Sequence, residues 1–223
     1  VAAQDFTTLK GHGGPIMGLD VSAKGRVASA SFDNSVGLWD GRDPRWLDGH
    51  EAAVVTVTWG PEGALYSGGD DFAVRAWVPE PRIIGRHEGK VAALAVSPDG
   101  ATVASGSWDG SIALWPAQGD GAGRMLEKPG AGVNTVAFSP DGRFLYAGTS
   151  AGDLLRYDLD RDGQPYPMVR HGFGVNQLVA GDGWIAYGAV DGGTRVIDAE
   201  TGDAIADFTL DRRPILAMDH HPG

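Results

Sequence analysis

Histidine, serine and aspartate recur together in this chain in an order that could support nucleophilic catalysis. A serine nucleophile, a histidine base and an orienting aspartate form the constellation that acyl-transfer enzymes use. The set occurs as His12, Ser31 and Asp33, and again as His87, Ser107 and Asp109. A catalytic set occurs once in an enzyme, whereas this one repeats in register along the chain. We therefore interpret it as a structural network and predict no catalytic residue.

A second possible nucleophile is Ser150, in the sequence Gly148-Thr-Ser-Ala-Gly152. This matches G-x-S-x-G, in which the serine sits between a strand and a helix. The residues that follow, Asp153 to Tyr157, are typical of a short strand. The sequence therefore predicts a β-turn at Ser150, and a hydrolase is not favoured.

Three alternating carboxylates, Asp158, Asp160 and Asp162, begin like a Ca²⁺-binding loop, with Gly163 at the sixth position. The twelfth position is Val169, where such a loop needs a bidentate glutamate. We predict a solvated acidic turn and no metal site, with these three aspartates as the weaker, calcium-binding alternative.

The elements that position these residues follow from a repeat. Its last aromatic or apolar residues are 38, 38, 42 and 40 residues apart, at Trp39, Trp77, Trp115, Tyr157 and Ile197. Apolar runs of strand length, such as Val91 to Val96, alternate with turns rich in Gly, Pro and Asp. No segment has a helical period, so we predict an all-β protein.

The chain resembles the WD40-repeat family in this period near 40, in the Gly-His that opens several repeats and in the closing Trp-Asp. The resemblance implies a β-propeller of four-stranded antiparallel blades. It also implies a buried network in each blade, formed by a loop histidine, a hydroxyl, a turn aspartate and the tryptophan. The matching residues are His12, Ser31, Asp33 and Trp39 in blade one; His50, Asp71 and Trp77 in blade two; His87, Ser107, Asp109 and Trp115 in blade three; His171 and Asp191 in blade five.

Some blades depart from this pattern. Gly69 stands in the hydroxyl position of blade two, and Ala189 and Ile197 replace two members in blade five. Blade four departs most, with Tyr157 for the tryptophan, and is expected to be less rigid. The blades are predicted over residues 12–48, 50–86, 87–128, 129–170 and 171–210 of a single propeller domain spanning 1–223.

Five blades are fewer than the seven that are common in this family. Residues 1–11 and 211–223 are expected to be incomplete closing elements, with a lone outer strand at residues 5–9 and a lone inner strand at residues 214–218. We expect the chain to be a fragment of a larger ring of about seven blades. A closed five-bladed ring and completion by another chain stay open as alternatives.

The resemblance implies that function lies on one rim of the propeller. The residues at the start of each inner strand and before each turn aspartate emerge there. Phe32 and Trp108 are the predicted contact anchors, because exposed aromatic side chains are typical of interfaces. The full predicted partner-binding set is Met17, Phe32, Asp70, Lys90, Trp108, Asn134 and Asn176.

The composition limits the kind of partner. The formal net charge is −11, which argues against nucleic acid and favours a basic protein. The chain has no cysteine, so disulfides and thiolate metal sites are excluded. It has no apolar run of about 18 residues, so no membrane span is predicted.

Two functions of different classes follow. The first is a non-catalytic scaffold that binds a protein on the propeller rim. The second rests on a resemblance of Lys10 to Met17, Tyr187 to Asp198 and Leu210 to Leu216 to bacterial WD-repeat domains fused to a c-type cytochrome. That resemblance implies a periplasmic accessory domain of a redox protein. Without cysteine the chain itself carries no haem attachment, so no cofactor is expected in it.

Overall fold

The structure is a computed structural model that describes residues 8–119, 121–209 and 213–218. Its strands form five antiparallel sheets of four strands each, and in every sheet the spatial order follows the chain order. Each sheet is one blade. The prediction of an all-β protein built from four-stranded blades is confirmed.

The five blades follow one another along the chain. Blade one contains β1 (Ile16–Val21), β2 (Val27–Ser31), β3 (Val36–Trp39) and β4 (Pro44–Leu47). Blade two contains β5 (Val54–Trp59), β6 (Leu65–Gly69), β7 (Ala73–Ala76) and β8 (Arg82–Arg86). Blade three contains β9 (Val91–Val96), β10 (Thr102–Ser107), β11 (Ile112–Pro116) and β12 (Arg124–Met125). Blade four contains β13 (Val133–Phe138), β14 (Phe144–Thr149), β15 (Asp153–Asp158) and β16 (Pro165–Arg170). Blade five contains β17 (Val175–Gly181), β18 (Trp184–Ala189), β19 (Gly193–Asp198) and β20 (Ala204–Thr209). These sheets fall within the five predicted segments.

Helical structure is confined to one short 3₁₀ turn, Pro61–Gly63, among the described residues. The repeating hairpin turns use glycine with positive φ, as at Gly110 (79°) and Gly152 (93°). Glycine adopts this conformation at little steric cost, which is why the chain punctuates its strands with it. No helix in the described part of the chain is long and apolar enough to cross a membrane.

The core lies between blades rather than within them. Consecutive blades pack through their first strands: β1 against β5, β5 against β9, β9 against β13, and β13 against β17. Each core cluster draws on two adjacent blades, and the first valine of an inner strand is at its centre. Val91, Val133 and Val175 are fully buried. Burying one such side chain contributes about 1.5–3 kcal/mol.

Glycine on the second strand makes this packing possible. A Cβ on Gly148 would lie 2.5 Å from Val175 Cγ1, and a Cβ on Gly106 would lie 2.5 Å from Val133 Cγ1. The same closeness recurs between Gly68 and Val91. A side chain at any of these positions would push adjacent blades apart.

The segment after blade five differs from its prediction. Residues 214–218 are not a strand in the structure, although a lone inner strand was expected there. Ile215 nevertheless donates its N–H to the Ala189 carbonyl at 3.2 Å and packs on Gly188, as Val175 packs on Gly148. A strand forms by pairing with a neighbouring strand. Apart from those of blade five, no described strand lies beside this segment, so it has no further partner to pair with. In the predicted lone outer strand, residues 5–7 lie outside the described residues, and residues 8 and 9 are not in a strand.

Candidate functional site

The predicted rim residues come from two repeated backbone features. In every blade the first strand has a register shift near its start. The extra residue of this β-bulge has no partner in the ladder, and bulges re-aim side chains at the edges of sheets. The bulge residues are Met17, Val55, Ala92, Asn134 and Asn176.

The second feature is a backbone hydrogen bond that fixes the residue before each turn. This residue donates its N–H to a carbonyl in the loop before the first strand of the same blade. The donors are Phe32, Asp70, Trp108, Ser150 and Val190, over distances of 2.8 to 3.0 Å. The five residues therefore occupy equivalent places, next to the bulges. We call the surface formed by Met17, Phe32, Asp70, Lys90 and Trp108 the rim surface.

Trp108 is the most exposed of the predicted aromatic anchors. Its side chain is 59% exposed, and its ring centroid lies 4.7 Å from Lys90 Nζ. The same ammonium group lies 3.3 Å from Asp70 Oδ1. Trp108 also donates its backbone N–H to the Lys90 carbonyl. Three predicted residues thus form one cluster in which the lysine holds the indole ring and the carboxylate together.

Phe32 and Met17 lie on blade one and are 44% and 50% exposed. Gly14 passes against Phe32, so that a Cβ on that glycine would meet the phenylalanine backbone at 3.1 Å. The phenylalanine is therefore anchored at its backbone while its ring faces outward.

Asn134 and Asn176 link neighbouring blades. Asn134 donates Nδ2–H to the Val175 carbonyl at 3.2 Å, and Asn176 donates to the Ile215 carbonyl at 3.3 Å. Each bond joins a bulge residue to the chain segment that packs next along the arc. Both side chains are half-buried. Their amides are already engaged in holding blades together, a role that the sequence pattern did not indicate.

The structural network is clearest in blades one and two. Trp39 Nε1 donates to Ser29 Oγ at 2.8 Å, and the same oxygen lies 2.7 Å from His12 Nε2. His12 Nδ1 lies 2.8 Å from Asp33 Oδ2. With the proton on Nδ1, the imidazole donates to the aspartate and accepts from the serine, so each group is satisfied. Blade two repeats this arrangement with Trp77, Ser67, His50 and Asp71.

The serines predicted to supply the hydroxyl of the network were wrong by two positions along the strand. Ser31 and Ser107 were expected to supply it, but the histidines contact Ser29 and Ser105 instead. Ser31 Oγ donates to the Gly14 carbonyl, and both predicted serines accept the N–H of the turn aspartate two residues later. Successive Cβ atoms alternate across a strand, so residues two apart share a face and the sequence pattern fits either serine.

Blade two therefore does not lack its hydroxyl. Gly69 occupies the position of Ser31, and the working hydroxyl is Ser67. A Cβ on Gly69 would clash with the Ala53 carbonyl oxygen, which explains the glycine.

In blade three a second serine, Ser111, lies between the histidine and the turn aspartate. His87 Nδ1 lies 2.6 Å from Ser111 Oγ and 3.7 Å from Asp109 Oδ2, and Ser111 donates to Asp109. Burial lowers the pKa of His87, against the opposing effect of Asp109. The neutral ring is thus the folded form, which suits its position between Ser105 and Ser111.

The turn aspartates remain ionised. Burial alone would raise the pKa of Asp33, but hydrogen bonds from Ser35, His12 and the Gly13 N–H outweigh it and lower that pKa. The pKa of Asp71 is lowered in the same way, since hydrogen bonds from His50 and from the backbone N–H groups of Ala73 and Glu51 outweigh the effect of burial. These carboxylates pin the loop histidine and the loop backbone to the blade.

In blades four and five other side chains occupy some of the positions of the network residues. In blade four Tyr157 replaces the tryptophan and donates its hydroxyl to the Glu127 carbonyl at 3.2 Å. The hydroxyl position holds Ala147, which suits a blade with no indole N–H to satisfy. In blade five His171 Nε2 lies 3.0 Å from Asp191 Oδ2 and 2.9 Å from Arg195 Nη1.

This network cannot act as a catalytic triad. Ser29, Ser67 and Ser105 are fully buried, so none of the three hydroxyls can reach a substrate. Ser150 lies in the turn between β14 and β15, so a strand follows it and not the helix of a nucleophile elbow. The network holds the fold, and Ser150 is an exposed residue of a β-turn.

Two aspartates of the acidic turn of blade four form ion pairs with arginine side chains. Asp158 Oδ2 lies 3.0 Å from Arg143 Nη2 and 3.4 Å from Arg161 Nε, and Asp162 accepts the N–H of Gln164. Asp160 lies 3.8 Å from Arg143 Nε. No His, Asp or Glu side chains within residues 8–119, 121–209 and 213–218 form a group of three that could hold a metal ion. The calcium-binding alternative for Asp158, Asp160 and Asp162 gains no support from this arrangement, and the absence of a metal site stays a prediction.

The repeat matches a known family. The model of the WD domain, G-beta repeat (WD40), matches residues 4–40, 42–77, 80–116 and 124–156, which is more than half of the chain. This chain belongs to the WD40-repeat family. The fifth blade of this WD40 chain is outside the matched residues, and it is the blade in which Ile197 and Tyr187 replace the tryptophan and the serine.

Individual relatives are similar over part of their length. A ribosome biogenesis protein WDR12 homolog from Drosophila sechellia is 30% identical over 129 residues, covering 49% of this chain and 31% of the relative. A guanine nucleotide-binding protein subunit beta from Oryza sativa subsp. indica is 26% identical over 139 residues, covering 53% and 37%. The match therefore spans about a third of the length of these relatives.

These relatives come from an insect and a plant, and neither name is that of a cytochrome. The predicted bacterial origin, periplasmic setting and cytochrome fusion gain no support from them.

Replacing Ser105 by alanine should destabilise the WD40 chain. Ser105→Ala leaves His87 Nε2 and Trp115 Nε1 buried without their shared partner. We expect a loss of roughly 2–4 kcal/mol in the free energy of unfolding, measured by urea titration followed by tryptophan fluorescence. The control Ser150→Ala changes an exposed turn serine and should lose under about 0.5 kcal/mol. Equal losses in the two variants would contradict the network.

Stability should fall in acid through the turn aspartates. The pKa of Asp71 is lower in the folded chain than its ordinary 3.8, so the unfolded chain takes up the proton first as the pH falls. The stabilisation by ionised Asp71 is complete above pH 3.8, the pKa in the unfolded chain, and is lost as the pH falls through the lower pKa of the folded chain. At pH 6 the Asp71→Asn variant should be less stable than the unmodified chain. Between pH 5 and pH 3 its free energy of unfolding should decrease less than that of the unmodified chain. Urea midpoints across this range measure it, and parallel curves would contradict the assignment.

Proposed function

We propose that this WD40 chain is a non-catalytic scaffold that binds a protein partner on the rim surface. The observation that carries the proposal is the cluster of Trp108, Lys90 and Asp70, which presents a large, fixed and exposed indole ring. Few residues dominate the energy of a protein interface, and tryptophan is enriched among them. A ring already held in place loses little conformational freedom on binding.

The neighbouring residues give this anchor a polar and apolar surround. Phe32 and Met17 extend the apolar surface onto blade one, and the Asp70 side chain is 40% exposed. Asn134 and Asn176, at bulge positions equivalent to that of Met17, are proposed to border the rim surface, although their amides hydrogen-bond to the neighbouring segment.

The charge of the chain supports a basic partner and not a nucleic acid. At a formal net charge of −11, the field around the scaffold attracts a positively charged protein and repels a phosphate backbone. Asp70 is the acidic group beside the proposed anchor, so a lysine or arginine of the partner is the expected contact there.

The proposal is tested by comparing exposed aromatic residues. Trp108→Ala and Phe32→Ala should each weaken binding of the partner recovered from cells of the natural source at least about tenfold, or about 1.4 kcal/mol. Isothermal titration calorimetry on the purified pair measures it, with circular dichroism to show an unchanged fold.

Phe208→Ala is the matched control. Phe208 is an exposed aromatic residue on β20, the outermost strand of blade five. Its replacement should leave the affinity unchanged. Undiminished affinity in both rim variants would end the rim assignment.

We infer in addition that a further blade covers the face of blade one against which no described blade packs, here called the free face. Ile16, Leu19 and Val21 are 47%, 64% and 60% exposed, whereas their counterparts in blade two, Val54, Val57 and Trp59, are buried against blade one. In the rest of the structure an apolar strip of this kind forms one side of the core between two blades. The covering blade would belong either to the same polypeptide or to another chain.

The absence of cysteine allows a direct test of this inference. Leu19→Cys introduces a single thiol on the free face. In the protein assembled in its natural host, this thiol should react with a maleimide at least about tenfold more slowly than in the isolated 223-residue chain. Ile205→Cys, on the outer strand β20, should react equally in both. Equal rates for Leu19→Cys would show that nothing covers the face.

A further inference from the structure

A cavity of about 430 Å³ lies between blades one and two, away from the rim surface. Two arginines, Arg26 and Arg45, line it together with apolar residues of both blades, among them Leu47, Trp77 and Pro79. The volume is enough for one or two side chains of a peptide.

Arg45 occupies a position that is repeated in the next two blades. Arg45, Arg82 and Arg124 pair with Leu38, Ala76 and Leu114, each of which precedes the tryptophan of its blade. Arg82 Nη2 donates to the Ala117 carbonyl at 2.7 Å, and Arg124 Nη2 donates to the Arg161 carbonyl at 3.1 Å. Both arginines thus fasten their blade to the next one.

The guanidinium of Arg45 is not used in this way. The carbonyl equivalent to that of Ala117, two residues after the tryptophan, belongs to Pro79. No hydrogen bond or ion pair joins the Arg45 guanidinium to any residue that the structure describes, and the side chain is exposed. An arginine that fastens blades elsewhere is here free to bind a ligand.

Arg26 adds a second cation to the same cavity. Its guanidinium carbon lies 5.2 Å from the centroid of the Trp59 ring, which holds the group in place. The Nε of Arg26 is buried and has no hydrogen-bond partner among the described residues. The residues at this position in blades two to five are Ala64, Thr102, Phe144 and Trp184, none of them a cation.

The charge of this cavity also sets it apart from the cavities between other blades. Glu62 and Asp99 line the one between blades two and three, Asp99 and Asp141 line the next, and Asp158 and Asp198 contribute to the last. The cavity between blades one and two has two arginines and no carboxylate in its lining. Glu80, between the two lining prolines, is exposed and is not part of the wall.

We propose that this cavity binds a peptide segment of a protein partner that carries an anionic side chain beside an aliphatic one. The anion, a glutamate carboxylate or a phosphoserine, lies between Arg26 and Arg45. The aliphatic neighbour packs on Leu47, Trp77 and Pro79. Guanidinium groups recognise both anions through paired hydrogen bonds. This second binding surface does not depend on the rim surface.

The test observes the two arginines directly. The arginine Nε–H signals of the ¹⁵N-labelled chain are followed by NMR during titration with N-acetyl-Leu-Glu-Leu-amide, its phosphoserine analogue and its glutamine analogue, up to about 10 mM. We expect the Arg26 and Arg45 signals to shift saturably with the glutamate or the phosphoserine peptide. The glutamine analogue should bind at least about tenfold more weakly. Whether one or both anionic peptides bind identifies the source of the anion.

Variants fix the location. Arg45→Gln should weaken peptide binding at least about fivefold. Arg42→Gln, an exposed change three residues away and outside the cavity wall, should not. Trp108→Ala should bind the peptides normally, so failure of the rim assignment and failure of this proposal are distinguishable.

Three results would overturn the proposal. One is the absence of saturable shifts with either anionic peptide. Another is equal binding of the glutamine analogue. The third is binding of inorganic phosphate as tight as that of the phosphoserine peptide, which would show a small-anion site in which the apolar wall plays no part.

Discussion

The buried serine hydroxyl of blades one, two and three is the contact on which the rest of each blade depends. Ser29, Ser67 and Ser105 each accept the indole N–H of the third strand and face the imidazole of the preceding loop. Without this oxygen, two ring nitrogens would be buried unsatisfied, which is costly in a medium of low dielectric constant. One small group thus joins the second strand, the third strand and the loop that leads into the blade.

The histidine carries this constraint to the surface. Its Nδ1 faces the turn aspartate directly in blades one and two, and through Ser111 in blade three. The same aspartates accept backbone N–H groups of the loop, as Asp33 does from Gly13. Because loop and turn are fixed to each other, the residues before the turns, Phe32, Asp70 and Trp108 among them, emerge from a rigid base. The proposed rim surface is a consequence of the buried network.

Contacts between blades follow a separate rule. Glycine on the second strand admits the valine of the next inner strand, and arginines on the outer strands fasten one blade to the carbonyls of the next. Where such a contact has no partner among the described residues, the surface stays exposed, as at the apolar strip of β1 and the guanidinium of Arg45. We propose that another blade covers the first and that the second binds an anion.

The sequence by itself determined the blades. The period near 40, the Gly, Pro and Asp turns and the closing tryptophans specify four-stranded sheets, because each blade repeats the same local pattern of strands and turns. It also indicated His12, His50, His87 and His171 with their turn aspartates, since these lie at fixed offsets.

Only the tertiary structure decided which serine completes the network. Ser29 and Ser31 point to the same face of one strand, and the choice between them depends on how deep the indole and imidazole rings lie. The roles of Asn134 and Asn176 were equally hidden, because each depends on the carbonyl of a segment 41 or 39 residues further along the chain. The proposed role of Arg45 depends on a cavity that blade two helps to form. A repeat shows what each unit contains, but contacts between units arise only when the units are placed side by side.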